Sequence, residues 1–349
     1  MPSLAHAQNI SELKAKAGQG DVLAQSALGN AYHKGDAVVK DDAEAVHWWE
    51  KAAEQGDIAS QINLGIAYQL GWGVSRNYAA AARWYQRAAD QGNGGAQTDL
   101  GILYHMGMGV PKDDAEAVRL WRRAAEQGGT GAQLYLGIAY HLGQGVSKDE
   151  AEASNWFRKA AEKGDPQAQV SLGINYVYGS GVAKDETEGI KWIRKAAEQN
   201  NPGGQFWLGA AYSSGIGGLA KDEAEAVRWY TKAAEQGSVA AQYNLGQAYN
   251  LGNGVAKDTS EAARWWQKAA EQGFAKAQNN LGLAYHSGDG VKKDDVEAYF
   301  WLNIAASFLD QPSIKQWRDK IGALLTAAQL SVVQERCRKW VEAHPNIEQ

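Results

Sequence analysis

A chain of 349 residues with 35 Lys and Arg against 40 Asp and Glu has a formal net charge of −5. No Lys/Arg-rich run interrupts that mildly acidic balance, so the electrostatic footprint of a nucleic-acid binder is missing. No stretch approaches about 18 consecutive apolar residues, which leaves no segment for membrane insertion. The single Cys337 rules out an intrachain disulfide framework and a cysteine-based zinc site. Such a length suggests two or three globular domains, but an internal repeat overrides that expectation. Leu-Gly recurs at Leu28-Gly29, Leu64-Gly65, Leu100-Gly101, Leu136-Gly137, Leu172-Gly173, Leu208-Gly209, Leu245-Gly246 and Leu281-Gly282. The period is 36 residues, with one step of 37 where the turn Gly215-Ile216-Gly217-Gly218-Leu219 adds a residue. A fixed period in this range signals a solenoid whose units are too small to bury their apolar faces alone.

In chain order, Ala5-His6-Ala7 before Gln8 has the small-x-small form of an export-signal cleavage site, but no apolar segment precedes it. Two readings stay open: a trimmed signal, implying a periplasmic or secreted protein, or an ordinary start, implying a cytoplasmic one. Residues 9–18 read as a lone capping helix, with Leu13 near the aromatic position and Gly20 at its stop. The expected organisation is residues 1–20 as tail and capping helix, 21–310 as eight repeats, and 311–349 as closing helices and tail.

Residues 93–128 serve as the specimen repeat. Its helix A is expected from about Gly95 to Met106, with Ala96, Leu100, Leu103 and Tyr104 at helical spacing. Gly107-Met108-Gly109-Val110-Pro111 then breaks it. Asp113 opens helix B as an N-cap and Glu116 completes a capping box, repeated at Asp41/Glu44, Asp149/Glu152, Asp185/Glu188, Asp222/Glu225, Asp258/Glu261 and Asp294/Glu297. Repeat two departs, with Asn77 and Ala80. Tyr32, Tyr68, Tyr104, Tyr140, Tyr176, Tyr212, Tyr249 and Tyr285 form one packing column. Trp48, Trp84, Trp156, Trp192, Trp229, Trp265 and Trp301 form another, with Leu120 in the gap. Large aromatics bury roughly 150–250 Å² each and small Gly and Ala let helices approach closely, so both columns read as core. Gln25, Gln61, Gln97, Gln133, Gln169, Gln205, Gln242 and Gln278 recur too evenly for a site, and are expected to satisfy backbone groups between helices. At the far end, Ser313–Leu324 and Ala327–Ala343 read as closing helices, the second opened by a Thr326/Gln329 capping box. Leu330, Val333, Cys337 and Trp340 share one of its faces, making Cys337 a small buried hydrophobe.

The motif Ala-x-Ser/Asn-Leu-Gly-x-x-Tyr-x-x-Gly-x-Gly-Val-x-Lys-Asp-x-x-Glu-Ala-x-x-Trp-x-x-Lys-Ala-Ala-Glu-Gln-Gly resembles the Sel-one-like repeat family, a branch of the tetratricopeptide-type α-solenoids. Residues 241–273 carry it almost letter for letter, and the resemblance covers about residues 20–310. The segment from Tyr299-Phe300-Trp301-Leu302 to Trp340 also looks like the C-terminal end of bacterial members. The fold this implies is an all-α, right-handed α/α superhelical solenoid of eight helix-turn-helix repeats with capping helices at both ends. The function implied is a non-enzymatic scaffold or adaptor for a protein or peptide, without cofactor or metal. A monomer is expected. The alternative is a β-lactam or peptidoglycan hydrolase, an activity linked to a cysteine-rich bacterial subgroup whose paired cysteines this chain lacks.

In the related tetratricopeptide geometry, helix A lines a concave groove. Positions three before, one after and four after the Leu-Gly glycine point into it, a single helical stripe. This stripe varies while the packing columns stay fixed, as a surface shaped by an aperiodic partner would. It begins polar with Ser26, Asn30 and His33, and is apolar over repeats four to seven. There Leu134, Ile138 and His141, then Val170, Ile174 and Val177, then Phe206, and finally Tyr243 and Asn250 lie on it. Tyr135, Trp207 and Asn244 stand in the adjacent variable column, and Trp207, Tyr135, Phe206 and Tyr243 are the expected anchors. Asn63, Asn175, Asn244, Asn250 and Asn280 are expected to hydrogen-bond an extended peptide backbone. No Lys or Arg occupies the stripe, which argues against a clamp for an acidic tail. His33, His105, His141 and His286 share one groove position and are read as solvated rather than metal-binding. Ser11-Glu12-Leu13-Lys14 is the only Ser-x-x-Lys, but its hydrolase companions are missing and Ser11 serves equally as a helix cap.

Overall fold

The computed structural model describes residues 4–344, with side chains from Ile10 onward. Nineteen α-helices and no strand occur among the described residues. They divide into two compact units, Met1–Asp165 and Pro166–Gln349. In the first unit α1 (Leu4–Gly18) precedes four hairpins: α2 (Val22–Lys34) with α3 (Asp42–Glu54), α4 (Ile58–Leu70) with α5 (Tyr78–Asp90), α6 (Gly94–Met106) with α7 (Asp114–Glu126), and α8 (Thr130–Leu142) with α9 (Glu150–Glu162). The second unit holds α10 (Pro166–Tyr178) with α11 (Glu186–Glu198), α12 (Pro202–Ser214) with α13 (Glu223–Glu235), α14 (Val239–Leu251) with α15 (Thr259–Glu271), and α16 (Ala275–Ser287) with α17 (Asp295–Phe308). Two closing helices follow, α18 (Pro312–Gly322) and α19 (Ala327–Ala343). The all-α repeat array is therefore present, and α6 starts one residue earlier than the spacing suggests.

Each helix B starts on an Asp or Asn whose side chain accepts first-turn N–H groups, as Asp113 does from Glu116. The reciprocal half of the expected box is not made in the repeats. The cap's own N–H is already spent on the tyrosine carbonyl of the preceding helix, Asp113 to Tyr104 at 2.9 Å, and the same bond joins Asp41 to Tyr32, Asp185 to Tyr176 and Asp294 to Tyr285. The glutamates turn outward instead, pairing with Arg119, Lys191, Arg228 and Arg264 three residues on. Among the described residues a complete box forms only at Thr326/Gln329, where no repeat turn competes for the cap N–H.

The seam of each hairpin explains the Leu-Gly pair. A Cβ on Gly101 would stand 2.5 Å from the Trp121 indole nitrogen, and one on Gly137 would stand 2.6 Å from the Phe157 ring. The same contact joins Gly29 to Trp49, Gly65 to Tyr85, Gly173 to Ile193, Gly209 to Tyr230, Gly246 to Trp266 and Gly282 to Leu302. This column, one residue after the recurring Trp, is the true partner of the glycine. The recurring Trp packs toward the preceding hairpin, as Trp84 does against the cluster that holds Ala45, Val46 and Trp49. A basic side chain covers its ring, with Lys51 at 4.5 Å from Trp48 and Lys159 at 3.7 Å from Trp156. In the turns, Gly109 combines a φ of 72° with no room for a side chain against the Tyr78–Ala79 peptide of the previous hairpin. Only glycine meets both demands.

The glutamine column bears out its expected job. Gln25 donates to the Ala17 carbonyl (3.1 Å), Gln61 to Ala53 (3.1 Å) and Gln242 to Ala234 (3.1 Å). Each also accepts from the glutamine that ends the following helix B: Gln55 to Gln25 (2.8 Å), Gln91 to Gln61 (2.9 Å) and Gln272 to Gln242 (2.8 Å). The relay fails where the sequence drops the donor. Lys163 stands in the fourth slot and reaches the Gly128 carbonyl, leaving Gln133 Oε1 without a partner, and Gln278 Oε1 is likewise unmatched at the end of the array.

At the C-terminal end, Ile314, Ile321, Val333 and Cys337 close over Tyr299, Phe300 and Trp301 in one cluster, with Leu330 and Trp340 at its edge. Cys337 is 4% exposed, its thiol directed at the Phe300 carbonyl, and burial pushes its pKa up, as suits a packing residue. At the other end α1 starts at Leu4, so Ser11 lies inside the helix and is not its cap.

Candidate protein-binding face

The A helices of each unit present a face on which the stripe residues fall into distinct roles. The column three before the glycine mostly joins neighbouring A helices. Ser26 is 8% exposed and bonded to Asp57 (2.9 Å) and Ser60 (3.1 Å) at the start of α4. Val170 is 4% exposed, beside Gly203 near the start of α12, and Tyr243 packs on Phe274 at 5.1 Å. Leu134 and Phe206 stay half-buried, Phe206 tilted against Tyr230 at 6.0 Å. Val177 is 7% exposed because α11 carries Gly189 opposite it, and the valine fills that gap. Val170 and Val177 thus belong to the packing and offer a partner almost nothing. Asn175 is also buried, so it has no free face for a peptide backbone.

Residues two before the glycine meet those one after it on the preceding A helix. Asn63 donates to Asn30 (3.0 Å) and Asn280 to Gln247 (3.2 Å). These amides are already paired within the protein, which revises their reading as free peptide ligands; the Asn250 side chain has no bond among the described residues. Tyr135 stacks on Trp121 at 5.2 Å and 19°, and Ile138 and Ile174 are half-buried. Trp207 lies edge-on to Phe206 (5.6 Å) and to Tyr178 (6.2 Å). Asn244 lies beside the Tyr230 phenol, whose pKa burial pushes up to about 12.

The four histidines are not simply solvated. His33 pairs with Asp42 (2.7 Å), His105 with Asp114 (2.6 Å), His141 with Glu150 (2.7 Å) and His286 with Asp295 (2.6 Å). Each carboxylate is the first residue of the hairpin's own helix B, so the pair pins the two helices together. No group of three metal-ligating side chains occurs among the described residues. Asp99 is the exception to this pairing. The residue in the Asn30 register there is Ile66, which offers no donor, and burial lifts the Asp99 carboxyl from 3.8 to about 6.

The structure adds a column that the variable stripe did not include. Leu70, Met106 and Leu142 in the first unit, and Tyr178 and Leu251 in the second, are the last residues of their A helices and are 48–62% exposed. Tyr178 touches Trp207, so this ridge flanks the variable column. A large apolar residue recurring just before the C-cap glycine, where a solvated helix end favours polar groups, was its sequence signal. Around the Ser-x-x-Lys segment, Ser11 is exposed and the Lys14 ammonium lies 5.5 Å over the Tyr32 ring, so the two do not form a nucleophile–base pair. No described helix is long and apolar enough to cross a membrane.

Comparison with known proteins places this geometry. The Sel1 repeat profile matches residues 22–57, 58–93, 95–129, 130–165, 166–201, 202–238, 239–274 and 275–307. A Sel1 repeat protein from Oxalobacter formigenes is 33% identical, with 89% of this chain and 90% of that one covered at a TM-score of 0.71. A protective antigen of uropathogenic Escherichia coli strains, displaying an SLR fold, is 35% identical over 98% of this chain and 83% of that one, at a TM-score of 0.63. The tetratricopeptide-sensor signal-transduction ATPase of Pyrococcus horikoshii shares the fold alone, at 14% identity and a TM-score of 0.50, with 91% of this chain and 52% of that one covered. Comparison with curated proteins gives no significant match.

Proposed function

This chain belongs to the Sel1 repeat family, whose fold is typically a non-enzymatic protein-interaction scaffold, and on that premise we propose that its A-helix face holds a segment of another protein. The observation that carries the reading is the exposed apolar ridge. Leu70, Met106 and Leu142 repeat at a position where the fold asks for nothing apolar, and they are 48–58% exposed. In the first unit the ridge runs beside Tyr135, Ile138, Leu134 and His141. In the second, Tyr178 and Leu251 flank Phe206, Trp207, Ile174, Tyr243, Asn244 and Asn250. Half-buried Trp207 and Tyr135 beside exposed aliphatic side chains are the kind of anchors that interface hot spots favour.

Photo-cross-linking in the source cells tests this. A benzophenone amino acid at Leu142 or Tyr178 is expected to trap one defined partner. The same group at Arg123 or Lys232, exposed on B helices, is expected to trap none. Equal capture from the B-helix positions, or none from either A-helix position, would count against the assignment. Tyr135→Ala with Trp207→Ala should remove the cross-link while leaving helical content intact.

A further inference from the structure

Among the described seam aromatics Trp266 alone has its polar atom buried without a partner, a state shared in the neighbouring Trp column by Trp48, Trp229 and Trp265. Trp49 donates its indole N–H to Asn30 (3.1 Å), Tyr85 its hydroxyl to Gln69 (2.9 Å), and Trp121 its N–H to the Thr98 carbonyl (3.2 Å). Trp266 is 6% exposed, and its N–H is buried without an acceptor. The reason lies one residue after the glycine. In repeat one Asn30 Oδ1 accepts from both Trp49 and Asn63, whereas the longer Gln247 in repeat seven accepts only from Asn280.

Trp266 lines an open pocket of about 410 Å³ in the second unit, formed by α14, α15, α16 and the closing helix α18. That volume falls within the range of small-ligand sites. Its polar lining is dominated by carboxamides: Gln247, Asn280 and the unbonded Asn250. Leu283 and Trp317 supply the apolar wall, Trp317 being 37% exposed. The charged groups at the cavity are acidic or paired: Asp289 with Ser287, and His286 with Asp295. An anionic ligand is therefore disfavoured. Lys320 lies over the Trp317 ring at 4.6 Å and His286 tilts against it at 5.8 Å, so no open face is left for a sugar to stack on and a ligand side chain meets Trp317 at its edge. What suits adjacent carboxamides, each offering a donor and an acceptor, is the peptide group.

We propose that this cavity anchors an extended, uncharged stretch of the partner polypeptide, with an apolar side chain against Leu283 and Trp317 and a backbone carbonyl accepting from Asn280. Taking over the Asn280 donor frees Gln247 Oε1 to turn and accept the Trp266 N–H, as Asn30 does for Trp49. Binding thus repairs the unmet hydrogen bond and adds to affinity beyond the contacts themselves. This rests on the reading of the A-helix face as a protein-binding surface and names where on the second unit the segment is held.

The test uses the full chain labelled with ¹⁵N at tryptophan, the Trp266 and Trp317 signals assigned through Trp266→Phe and Trp317→Phe. Capped, neutral tetrapeptides that scan one apolar residue are titrated, with chitobiose and a capped Asp-containing tetrapeptide as comparisons. The expected result is a saturable downfield shift of the Trp266 indole proton with at least one neutral peptide. Affinity should fall about tenfold with Asn280→Ala or Trp317→Ala, and both variants should keep wild-type helical content. In Gln247→Asn the Trp266 signal should be shifted before any peptide is added. A Trp266 shift from chitobiose or the acidic peptide alone, or none across the neutral set, would overturn the proposal. If cross-linking at Leu142 and Tyr178 succeeds while the peptide set gives no shift, this anchor fails and the binding face stands. Peptide shifts without cross-links would support the anchor and count against the wider face.

Discussion

Two sides of the same A helices obey opposite rules. On the seam side, Gly101 and its counterparts meet an aromatic or aliphatic side chain at contact distance in every repeat, and little varies. On the open side, Tyr135, Trp207, Asn244 and Asn280 occupy one column with unrelated chemistries, and the ridge from Leu70 to Leu142 stays in solvent. The difference teaches that periodicity marks what the stack needs, and that an exposed apolar side chain beyond those needs points to another molecule.

That contrast predicts where substitution hurts. Gly101→Val forces a branched side chain into the Trp121 ring and is expected to cost roughly 2–4 kcal/mol, read from urea unfolding. A loss below about 1 kcal/mol would show the seam to be loose. Gln61→Ala removes one of the donors to the Ala53 carbonyl and one of the acceptors of the Gln91 amide, each of which keeps its bond to Gly56, and should cost about 1–2 kcal/mol. Gln133→Ala should cost about half as much, since its oxygen already lacks a partner. Equal losses at the two sites would mean that the relay between glutamines contributes nothing.

Asp99 lies on the boundary between the two rules, and its proton reports on it. Its folded value of about 6 lies above the unfolded 3.8, so the folded chain holds that proton more tightly. The stability this gives is present below about pH 4, declines as pH rises toward 6, and is gone above it. Asp99→Asn should flatten that decline and stabilise the protein at pH 7 by about 1–2 kcal/mol, discounted for partial solvent access. An unchanged pH profile would mean that water reaches the carboxylate freely. The smallest stability effect belongs to the ridge. Leu142→Ser should change the unfolding free energy by less than about 0.5 kcal/mol while weakening partner capture about tenfold. A large stability loss there would return Leu142 to the packing.

How much was legible in the sequence differs between seam and face. The helical hairpins, the glutamine job and the burial of Cys337 followed from spacing, since they depend on neighbours one helical turn or one period away. The limits of the end helices did not, as α1 begins at Leu4 and not at residue 9, and α18 spans Pro312–Gly322 and not Ser313–Leu324. The capping boxes were half right, because the tyrosine carbonyl that claims the Asp113 N–H comes from a different helix. Val170 and Val177 looked like groove residues because hydrophobicity along one helix cannot show that Gly203 and Gly189 leave openings beside them. The four histidines looked solvated because their carboxylates sit nine residues on, across a turn.

The amino-acid sequence alone determined the repeat, its all-helical character and its caps, because those are set by local periodicity and by residues with restricted backbone conformations. Only the tertiary structure decided which variable side chains reach solvent and which polar groups already have partners, Trp266 among those left without one. Both depend on how far a side chain extends across a neighbouring helix, and one methylene, Gln247 in place of an Asn, is enough to change the answer.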